Sequence, residues 1–409
     1  METKQSIFKQ TNFLKLWLSQ SFNSLAQILI QVIVMVEVYQ RTESATGPAL
    51  VLATMSLTLF VSSILASYYI ERFPLKRILH ASGWLKGVSA ISVGYFLYLD
   101  SSVGFILMFV SLVGLSFLNA WYSPARFAFL PLVVTKNEYI KANGTLVMID
   151  QLLATAGWAL GAVLSLYIPF QILIGMMALL FISSGILIQT IRLSSIQKAT
   201  PKVKLTTPAW KEVWNIKVVR GITIMDSIEA IANAIWTSAL ILAFTKVVLG
   251  VGEQWWGFIN AAYFVGAILG SLLVTFKADR FSSRIGVMIG CSGLSMGILT
   301  ILFALNTNPV MALILCVLMG PMYQARDICQ VALLQDAIPE QRRASIMAAR
   351  SSFLTPLSGV MVLVIGVTAD LIGVQFVYLL AGAAYFIVSL LAFKWNELRE
   401  YKLNSPDTI

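Results

Sequence analysis

The chain is poor in charged residues. Only 12% of its 409 residues are Asp, Glu, Lys or Arg, while 58% are hydrophobic; a soluble domain carries about 25% charged residues. A surface with so few charges must mostly face something other than water. Since an apolar helix of about 20 residues crosses the roughly 30 Å hydrocarbon core of a bilayer, the composition excludes a soluble globular protein and predicts a polytopic helical membrane protein.

Histidine and cysteine are also scarce. The chain has one histidine and three cysteines, too few for a His/Cys metal cluster or a disulfide framework. Each cysteine lies in or beside an apolar run, so we expect all three to be buried as small hydrophobic residues. The chain also lacks a G-x-x-x-x-G-K-[ST] loop for ATP phosphates, which leaves ion gradients as the energy source for any transport. We therefore expect no metal and no cofactor. The cysteines are Cys291, Cys316 and Cys329.

Apolar runs of spanning length recur twelve times along the chain. Their lengths exclude transmembrane β-strands, which need only about 10 residues each and alternate in polarity. The sequence therefore predicts an all-α protein with twelve transmembrane helices. The runs cover residues 13–38, 48–70, 78–99, 102–122, 143–166, 170–191, 218–245, 256–276, 285–306, 309–328, 344–369 and 374–393.

The positions of the basic residues indicate how these runs are oriented. A net charge of +10 would suggest nucleic acid binding in a soluble protein, but the Lys and Arg residues here are spread between apolar runs, so we expect no nucleic acid partner. With a cytoplasmic N-terminus, only Arg41 and Lys246 of the 29 basic residues fall on the outer side. Lys86 lies within the third run near its inner end, where its long side chain can reach toward the inner membrane surface. The positive-inside rule thus predicts that both termini are cytoplasmic.

The longest loop divides the runs into six and six. It is basic and contains prolines, and we expect it to be a flexible tether near anionic lipid head groups. The predicted organisation is an N-terminal six-helix bundle, a cytoplasmic linker, a C-terminal six-helix bundle and a cytoplasmic tail. Their boundaries are 1–191, 192–217, 218–394 and 395–409.

Polar residues recur between the two halves at a nearly constant offset. Residues three and four apart share a helix face, and polar groups that face lipid are costly, so the two polar stripes should line an interior cavity. A six-helix unit present twice in one orientation gives a pseudo-two-fold axis along the membrane normal, as in secondary transporters. The stripes are Gln20, Asn23, Gln27 and Gln31 in the first run and, 206 residues later, Asp226, Glu229, Asn233 and Thr237 in the seventh.

Loop motifs repeat as well. Glu71-Arg72 after the second run returns as Asp279-Arg280 after the eighth, and Arg126 after the fourth run returns as Arg326 after the tenth. A carboxylate and a guanidinium at cytoplasmic helix ends can hold neighbouring helices together in one state and release them in another. We therefore expect these residues to form a conformational latch, the alternative being ordinary cytoplasmic charges.

On these motifs the chain resembles transporters of the major facilitator superfamily. Glu71-Arg72 and Lys76-Arg77 match the superfamily's loop signature G-x-L-x-D-R-x-G-R-R. The chain departs from this signature at Ser67, Pro74 and Leu75. Three further motifs resemble the bacterial branch of macrolide-efflux-like and siderophore-exporter-like permeases. The resemblance implies two six-helix bundles in a bacterial cytoplasmic membrane, and we expect a monomer. The branch motifs are Ser123-Pro124-Ala125-Arg126, Leu130-Pro131 and Lys141-Ala142-Asn143-Gly144.

Acids within the apolar runs are the candidates for proton coupling, since such a group can take up and release a proton as access alternates. Glu229 is the first choice because it lies about a third of the way into its run on the polar stripe, and Asp226 lies one turn nearer the cytoplasm. Glu37 lies near the outer end of the first run and off its polar face, and Asp150 lies early in the fifth. Glu229, Asp226 and Asp150 could instead be structural acids satisfied by a neighbouring arginine or a backbone amide, and Glu37 could simply reach the outer head groups.

The expected substrate cavity combines the polar stripes with aromatic residues. Its candidate residues are Asn23, Gln27, Gln31, Asn233 and Thr237, together with Trp236, Tyr263 and Tyr323. An apolar cavity with aromatic faces and a buried acid suits bulky amphipathic cations. For each aromatic residue, a place in the core or against lipid is the alternative. The pairs Gly157-x-x-x-Gly161 and Gly266-x-x-x-Gly270 predict close helix contacts.

The sequence thus predicts a secondary transporter, a proton-coupled exporter of small amphipathic molecules that works by alternating access in the lipid bilayer. A lysolipid or a siderophore-type metallophore is the alternative substrate. A membrane-embedded enzyme is a distant alternative, since it would need a His, a metal cluster, or a Ser/Lys or paired-Asp site in the membrane. The only histidine, His80, lies at the cytoplasmic start of a helix.

Overall fold

The computed structural model describes residues 7–42, 46–99, 101–193, 208–252, 254–278 and 284–403, and in this part of the chain it contains helices and no strands. The first six helices are α1 (Thr11–Thr42), α2 (Thr46–Tyr69), α3 (Leu75–Tyr98), α4 (Ser102–Phe129), α5 (Tyr139–Tyr167) and α6 (Phe170–Gln189). They are followed by α7 (Ala209–Asn215), α8 (Lys217–Asn233), α9 (Ser238–Val247), α10 (Gln254–Phe276) and α11 (Ile285–Leu305). The last four are α12 (Pro309–Ala337), α13 (Arg343–Ile372), α14 (Val374–Lys394) and α15 (Asn396–Arg399).

The predicted all-helical membrane fold is confirmed, and each apolar run falls on one or two of these helices. Within the described ranges, nine helices are long and apolar enough to cross a bilayer, or ten if the bent pair α8 and α9 is one span. The remaining two long helices, α3 and α5, have 24 and 29 residues and contain charged side chains. The count of twelve spans therefore stays a prediction.

Local sequence signals fix several helix starts. Asn308 accepts hydrogen bonds from the backbone N–H groups of Val310 and Met311, and Pro309 occupies the first turn of α12. An Asn cap accepts hydrogen bonds from backbone N–H groups that lack a partner in the helix. Proline at the first helical position lacks an N–H group that would have no partner there in any case. Between α13 and α14, Gly373 has φ 94°, a conformation that glycine adopts without steric cost.

Two helices extend further than hydropathy predicts. α4 continues to Phe129 and α12 to Ala337, beyond the predicted span ends at 122 and 328. Arg126 lies inside α4 and Arg326 lies inside α12, so their placement after the ends of the fourth and tenth spans was wrong. Hydropathy reports where a helix becomes polar, whereas the backbone hydrogen bonds of a helix continue as long as its polar side chains find partners.

The seventh apolar run does not form one straight helix. α8 ends at Asn233, a single 3₁₀ turn covers Ala234–Trp236, and α9 begins after Thr237, which has an extended backbone. The two parts are bent by 51°. The prediction that Thr237 continues the helical face of Asp226, Glu229 and Asn233 was therefore wrong.

The chain divides into two compact units. Unit 1 comprises residues 1–134, 152–210 and 339–352, and unit 2 comprises 135–151, 211–338 and 353–409. Two short segments thus group with the unit that contains the other half of the sequence. In unit 2, Asn143 donates a hydrogen bond to Gln335 at 2.6 Å. The bundle boundaries at 191 and 218 stay a prediction.

In unit 1, small residues allow close helix packing. A Cβ atom on Gly83 of α3 would lie 2.6 Å from the backbone of Gly185 on α6. Similar atoms on Gly157 and Gly161 of α5 would lie 2.8 and 2.9 Å from side-chain carbons of α1. These distances are too short for any side chain, so the predicted close contact of the Gly157 and Gly161 face is confirmed.

In unit 2, the tightest contact joins α10 to α12. A Cβ atom on Gly266 would lie 2.2 Å from the carbonyl oxygen of Val317, and one on Gly270 would lie 2.4 Å from Cα of Pro321. This second predicted close contact is also confirmed. Because backbone faces backbone here, the position of α12 and of the side chains that it presents to α8 is fixed without adjustable packing.

Two of the three cysteines match the prediction. Cys316 and Cys329 of α12 are buried, whereas Cys291 of α11 is exposed. The expectation of burial for Cys291 was wrong, because in a membrane protein an apolar run also supplies the residues on the outer surface of the protein.

The α10–α12 contact leads to a stability prediction. Gly266→Ala places a methyl group against a backbone carbonyl that cannot move aside, and we expect it to lower the free energy of unfolding by about 1–3 kcal/mol. Gly359→Ala is the matched control, since nothing lies within 4 Å of a Cβ atom there. Thermal unfolding of both variants in detergent checks this. Equal stability of the two variants would contradict the packing argument.

Candidate functional site

A buried ion cluster joins α8 to α12 in unit 2. Arg326 forms an ion pair with Glu229 through Nη1, and its Nη2 lies 3.5 Å from a carboxylate oxygen of Asp226. The side chains of Arg326 and Glu229 are only 3% and 6% exposed, against 22% for Asp226. Asp226 and Glu229 lie three residues apart, so they share the face of α8 that is turned to α12.

A cavity of about 200 Å³ lies beside this cluster. It has a polar wall from α8 and α12 and a smaller contribution from α13. Its lining residues are Asp226, Glu229, Ala230, Asn233, Tyr323, Arg326, Asp327, Gln330, Leu354 and Ser358. The structure therefore brings together two predicted coupling acids, one predicted latch residue and two predicted cavity residues in one site.

Among the lining residues that sequence reasoning missed are two polar residues of α12. Asp327 is half-buried and forms no hydrogen bond or ion pair with the described residues. Gln330 is 7% exposed, and its Nε2 has no hydrogen-bond partner. Both lie where hydropathy ends the tenth run. A continued helical spacing through residues 323, 327 and 330 was the available signal for them.

The charges of the site do not balance. Three carboxylates, from Asp226, Glu229 and Asp327, face one guanidinium, from Arg326, which leaves a formal excess of two negative charges. A buried group of lining residues with more acidic than basic side chains favours an added positive charge. The site is therefore suited to a proton or to a positively charged group of a ligand.

The predicted aromatic residues have different positions. Tyr323 lines the cavity and packs edge-on against Tyr263, with ring centroids 6.4 Å apart. Trp236 instead packs in an aromatic core with Phe303 and Tyr378, which is the alternative considered for it. Of the polar stripe, Asn233 accepts a hydrogen bond from the hydroxyl of Tyr385 at 2.7 Å.

Unit 1 carries a counterpart of the ion cluster. Arg126 of α4 donates to Gln20 of α1 at 2.8 Å, and these residues precede Arg326 and Asp226 by the offsets of the sequence repeat. The contact therefore recurs with an amide in unit 1 where unit 2 has a carboxylate. Further along the stripe of α1, Gln27 has a buried side-chain oxygen without a partner, and Gln31 is half-buried.

Lys86 lies in the interior of unit 1. It is 0% exposed and donates to Asn23 at 3.0 Å and to Asn119 at 2.8 Å. Its ammonium lies 4.7 Å from the ring centroid of Tyr122 and 5.5 Å from that of Phe181. The prediction that Lys86 reaches toward the inner membrane surface was wrong, because two amide oxygens and two ring faces solvate it within the protein.

The remaining coupling candidates are not among the residues that line this cavity. Glu37 accepts from Arg41 on the next turn of α1, with both contacts at 2.8 Å, and Arg41 also donates to the carbonyl oxygen of Leu97. Asp150 is half-buried on α5 and has an interaction of its own. Proton coupling by either acid stays a prediction.

The latch candidates make contacts that differ from the predicted ones. Glu71 accepts from Arg342 at 2.8 Å and also from Ser345, so its partner is the start of α13 within unit 1. Arg72 places its guanidinium 4.6 Å from the ring centroid of Tyr69. Arg126 and Arg326 make the helix–helix contacts given above. Asp279 and Arg280 lie outside the described residues, as does most of the 192–217 linker.

The Glu229–Arg326 pair leads to a prediction about stability. Arg326→Met leaves buried carboxylates without their partner, and we expect a loss of about 3–5 kcal/mol in the free energy of unfolding. Adding Glu229→Gln removes the charge that was left behind, so the double variant should lose less than the sum of the single variants. Thermal or denaturant unfolding of all three measures this. Strict additivity would show that the pair does not interact.

Comparison with known proteins agrees with this architecture. The family model of the Major Facilitator Superfamily matches residues 16–353 and 227–407. The chain is 38% identical over 392 residues to the uncharacterized MFS-type transporter YjbB of Bacillus subtilis (strain 168), covering 96% of this chain and 97% of that protein. It is 31% identical to the uncharacterized MFS-type transporter YfmI of the same organism, and this match covers 93% of this chain and 96% of YfmI.

Solved structures with the same fold have little sequence identity to the chain. A bacterial homologue of the iron transporter ferroportin, in an outward-facing state, superposes with a TM-score of 0.75 at 17% identity and covers 96% of this chain and all of that one. The transporter FucP in its outward conformation superposes with a TM-score of 0.74 at 14% identity. The match covers 93% of this chain and 98% of FucP. The chain thus belongs to the Major Facilitator Superfamily, as a multi-pass membrane protein of a bacterial transporter family rather than an enzyme.

Proposed function

We propose that the protein is a proton-coupled exporter of small amphipathic cations that works by alternating access. The observation that carries this proposal is the cluster of Glu229, Asp226 and Arg326 beside a cavity with excess negative charge. Membership of the superfamily is consistent with secondary transport of small molecules, which is the general part of the proposal. The coupling ion, the direction of transport and the substrate class belong to the proposal.

The ion cluster offers a way to couple a proton to a change of side-chain contacts. Arg326 is only partly satisfied, since its buried Nε and Nη2 have no hydrogen-bond partner. A proton on Glu229 neutralises one of the two carboxylates that contact Arg326, and of these two the guanidinium then pairs with Asp226. Because the pair bridges α8 and α12, its exchange changes the contact between two helices that line the cavity.

The chemistry of the cavity favours a cationic substrate. A ligand cation offsets one of the two excess negative charges, as a proton does, so proton and cation compete for the same carboxylates. Such competition is what exchange of one for the other requires. Tyr323 adds a ring face that attracts cations, and it lies on the same helix as Arg326.

A latch at the end of α2 is a second part of the proposal. Glu71 is held by Arg342 and Ser345 from the start of α13, and both charged side chains are about 10% exposed. An ion pair that is partly shielded from water is worth more than an exposed one. We infer that this contact holds one conformational state and is broken in the other, in a monomer of two six-helix bundles with both termini in the cytoplasm.

Transport across a pH gradient tests the proposed coupling. Ethidium is a suitable fluorescent amphipathic cation, and inverted membrane vesicles give the outward direction. We expect Glu229→Gln to reduce gradient-driven ethidium transport to background, because the side chain can no longer take up a proton, while ethidium exchange without a gradient persists. Asp370→Asn, at an exposed position of α13, is the matched control and should transport like the unmodified protein.

The same assay decides between substrate classes. A fluorescent lysophosphatidylcholine and an iron-loaded hydroxamate siderophore represent the alternatives drawn from the sequence. Among the described residues, no group of three or more His, Cys, Asp or Glu could hold a metal ion, so a metal would have to travel with its chelator. Unchanged gradient-driven transport by Glu229→Gln would move coupling away from this acid, and transport of neither cation nor alternative would refute the export proposal.

A further inference from the structure

We propose that Asp327 and Gln330 of α12 are the residues that recognise the substrate in the unit 2 cavity. The Asp327 carboxylate binds an ammonium group, and Gln330 Nε2 donates a hydrogen bond to an oxygen of the same molecule. The ligand class is therefore an amphipathic amine with a nearby hydroxyl, ether or carbonyl oxygen. This inference rests on the proposed function, in which the cavity is the transport site.

Asp327 differs from the other two carboxylates of the site in its hydrogen bonds and ion pairs. Asp226 and Glu229 both interact with Arg326, whereas Asp327 forms no hydrogen bond or ion pair with the described residues. It faces the cavity and keeps part of its surface accessible. A cation that enters the cavity can therefore reach Asp327 without displacing Arg326.

Gln330 gives an independent indication of a ligand. Gln330 lines the cavity, and its Nε2 is buried and has no hydrogen-bond partner. A buried donor without a partner is costly to leave unsatisfied. An amide donor cannot interact favourably with an ammonium group, so Gln330 requires a ligand atom of a different type, an acceptor oxygen.

The spacing on α12 sets the arrangement of these groups. Residues three apart lie on one helix face with Cβ atoms about 5–6 Å apart, so the acceptor oxygen should lie about 5 Å from the ligand nitrogen. Tyr323 lies one turn before Asp327 and packs against Tyr263. The ammonium bound at Asp327 thus has an aromatic face on the side opposite Gln330.

The cavity volume limits how much of the ligand these residues contact. Pockets for whole drug-sized ligands have about 300–1,000 Å³, and this cavity has about 200 Å³. It can therefore hold the amine and its neighbouring oxygen but not a complete amphiphile. Asp327 and Gln330 select the polar head group, and the apolar remainder of the molecule adds little to their selectivity.

Equilibrium binding to the purified protein without a gradient tests this. Propranolol carries a secondary amine with an aryl ether oxygen three carbons away, which an extended chain places at the required spacing, and N-acetylpropranolol keeps the shape and the ether oxygen but lacks the charge. We expect the unmodified protein to bind propranolol about 10-fold or more tightly than its acetyl form, as loss of one charged hydrogen bond implies. This ratio needs no variant, so it tests the charge requirement even if a variant fails to fold.

Three variants assign the recognition to residues. Asp327→Asn should remove the preference for propranolol and leave binding of the acetyl form unchanged. Gln330→Leu should weaken both probes to a similar degree, since both keep the ether oxygen. Asp370→Asn should change neither affinity. No propranolol binding by the unmodified protein, or a preference for the charged probe that survives Asp327→Asn, would overturn the inference.

The failure of this inference can be distinguished from failure of the proposed function. Gradient-driven ethidium transport together with binding that is insensitive to Asp327→Asn would overturn the recognition pair and leave proton-coupled export intact. Propranolol binding that depends on Asp327 in a protein without gradient-driven transport would support the recognition pair and refute the coupling.

Discussion

The buried contact of Arg326 with Glu229 and Asp226 is the interaction on which the site depends. It places a cation and two anions where water is scarce, so each charge must be matched by another. One arginine cannot neutralise three acids, and the remaining negative charge is what makes the cavity suited to a proton or an organic cation. The contact also joins α8 to α12, so any change in its charge state alters the contact between two cavity-lining helices.

This interaction needs a backbone frame that does not adjust around it. Gly266 and Gly270 bring α10 against the backbone of α12, which fixes the position of Arg326 and Asp327. The same design occurs in unit 1, where Gly157 and Gly161 pack against α1. The units differ in chemistry: Gln20 takes in unit 1 the position that Asp226 has in unit 2, so an amide there replaces a carboxylate.

The sequence predicted the helical membrane fold, the glycine contacts and the polar stripes, because helical periodicity and the cost of polar groups in lipid leave few alternatives. It also matched Arg126 with Arg326, and the structure gives both the same kind of contact with the stripe residue opposite. It did not find Asp327, which lies among the last residues of the tenth run, or Gln330, which lies beyond the predicted end of that run at residue 328 while the helix continues. Nor could it find the Asn23–Lys86–Asn119 contacts or the Glu71–Arg342 pair, whose members are far apart in sequence.

Proton release on ligand binding tests the central claim most directly, namely that a proton and a cation compete for the excess negative charge of one site. Purified protein in weakly buffered detergent solution is titrated with ethidium between about pH 5 and pH 8, and the pH change is recorded. The account predicts release of up to about one proton per bound cation within this range, because the number of bound protons differs between the free and the occupied site. Ethidium binding without proton release at every pH would contradict it.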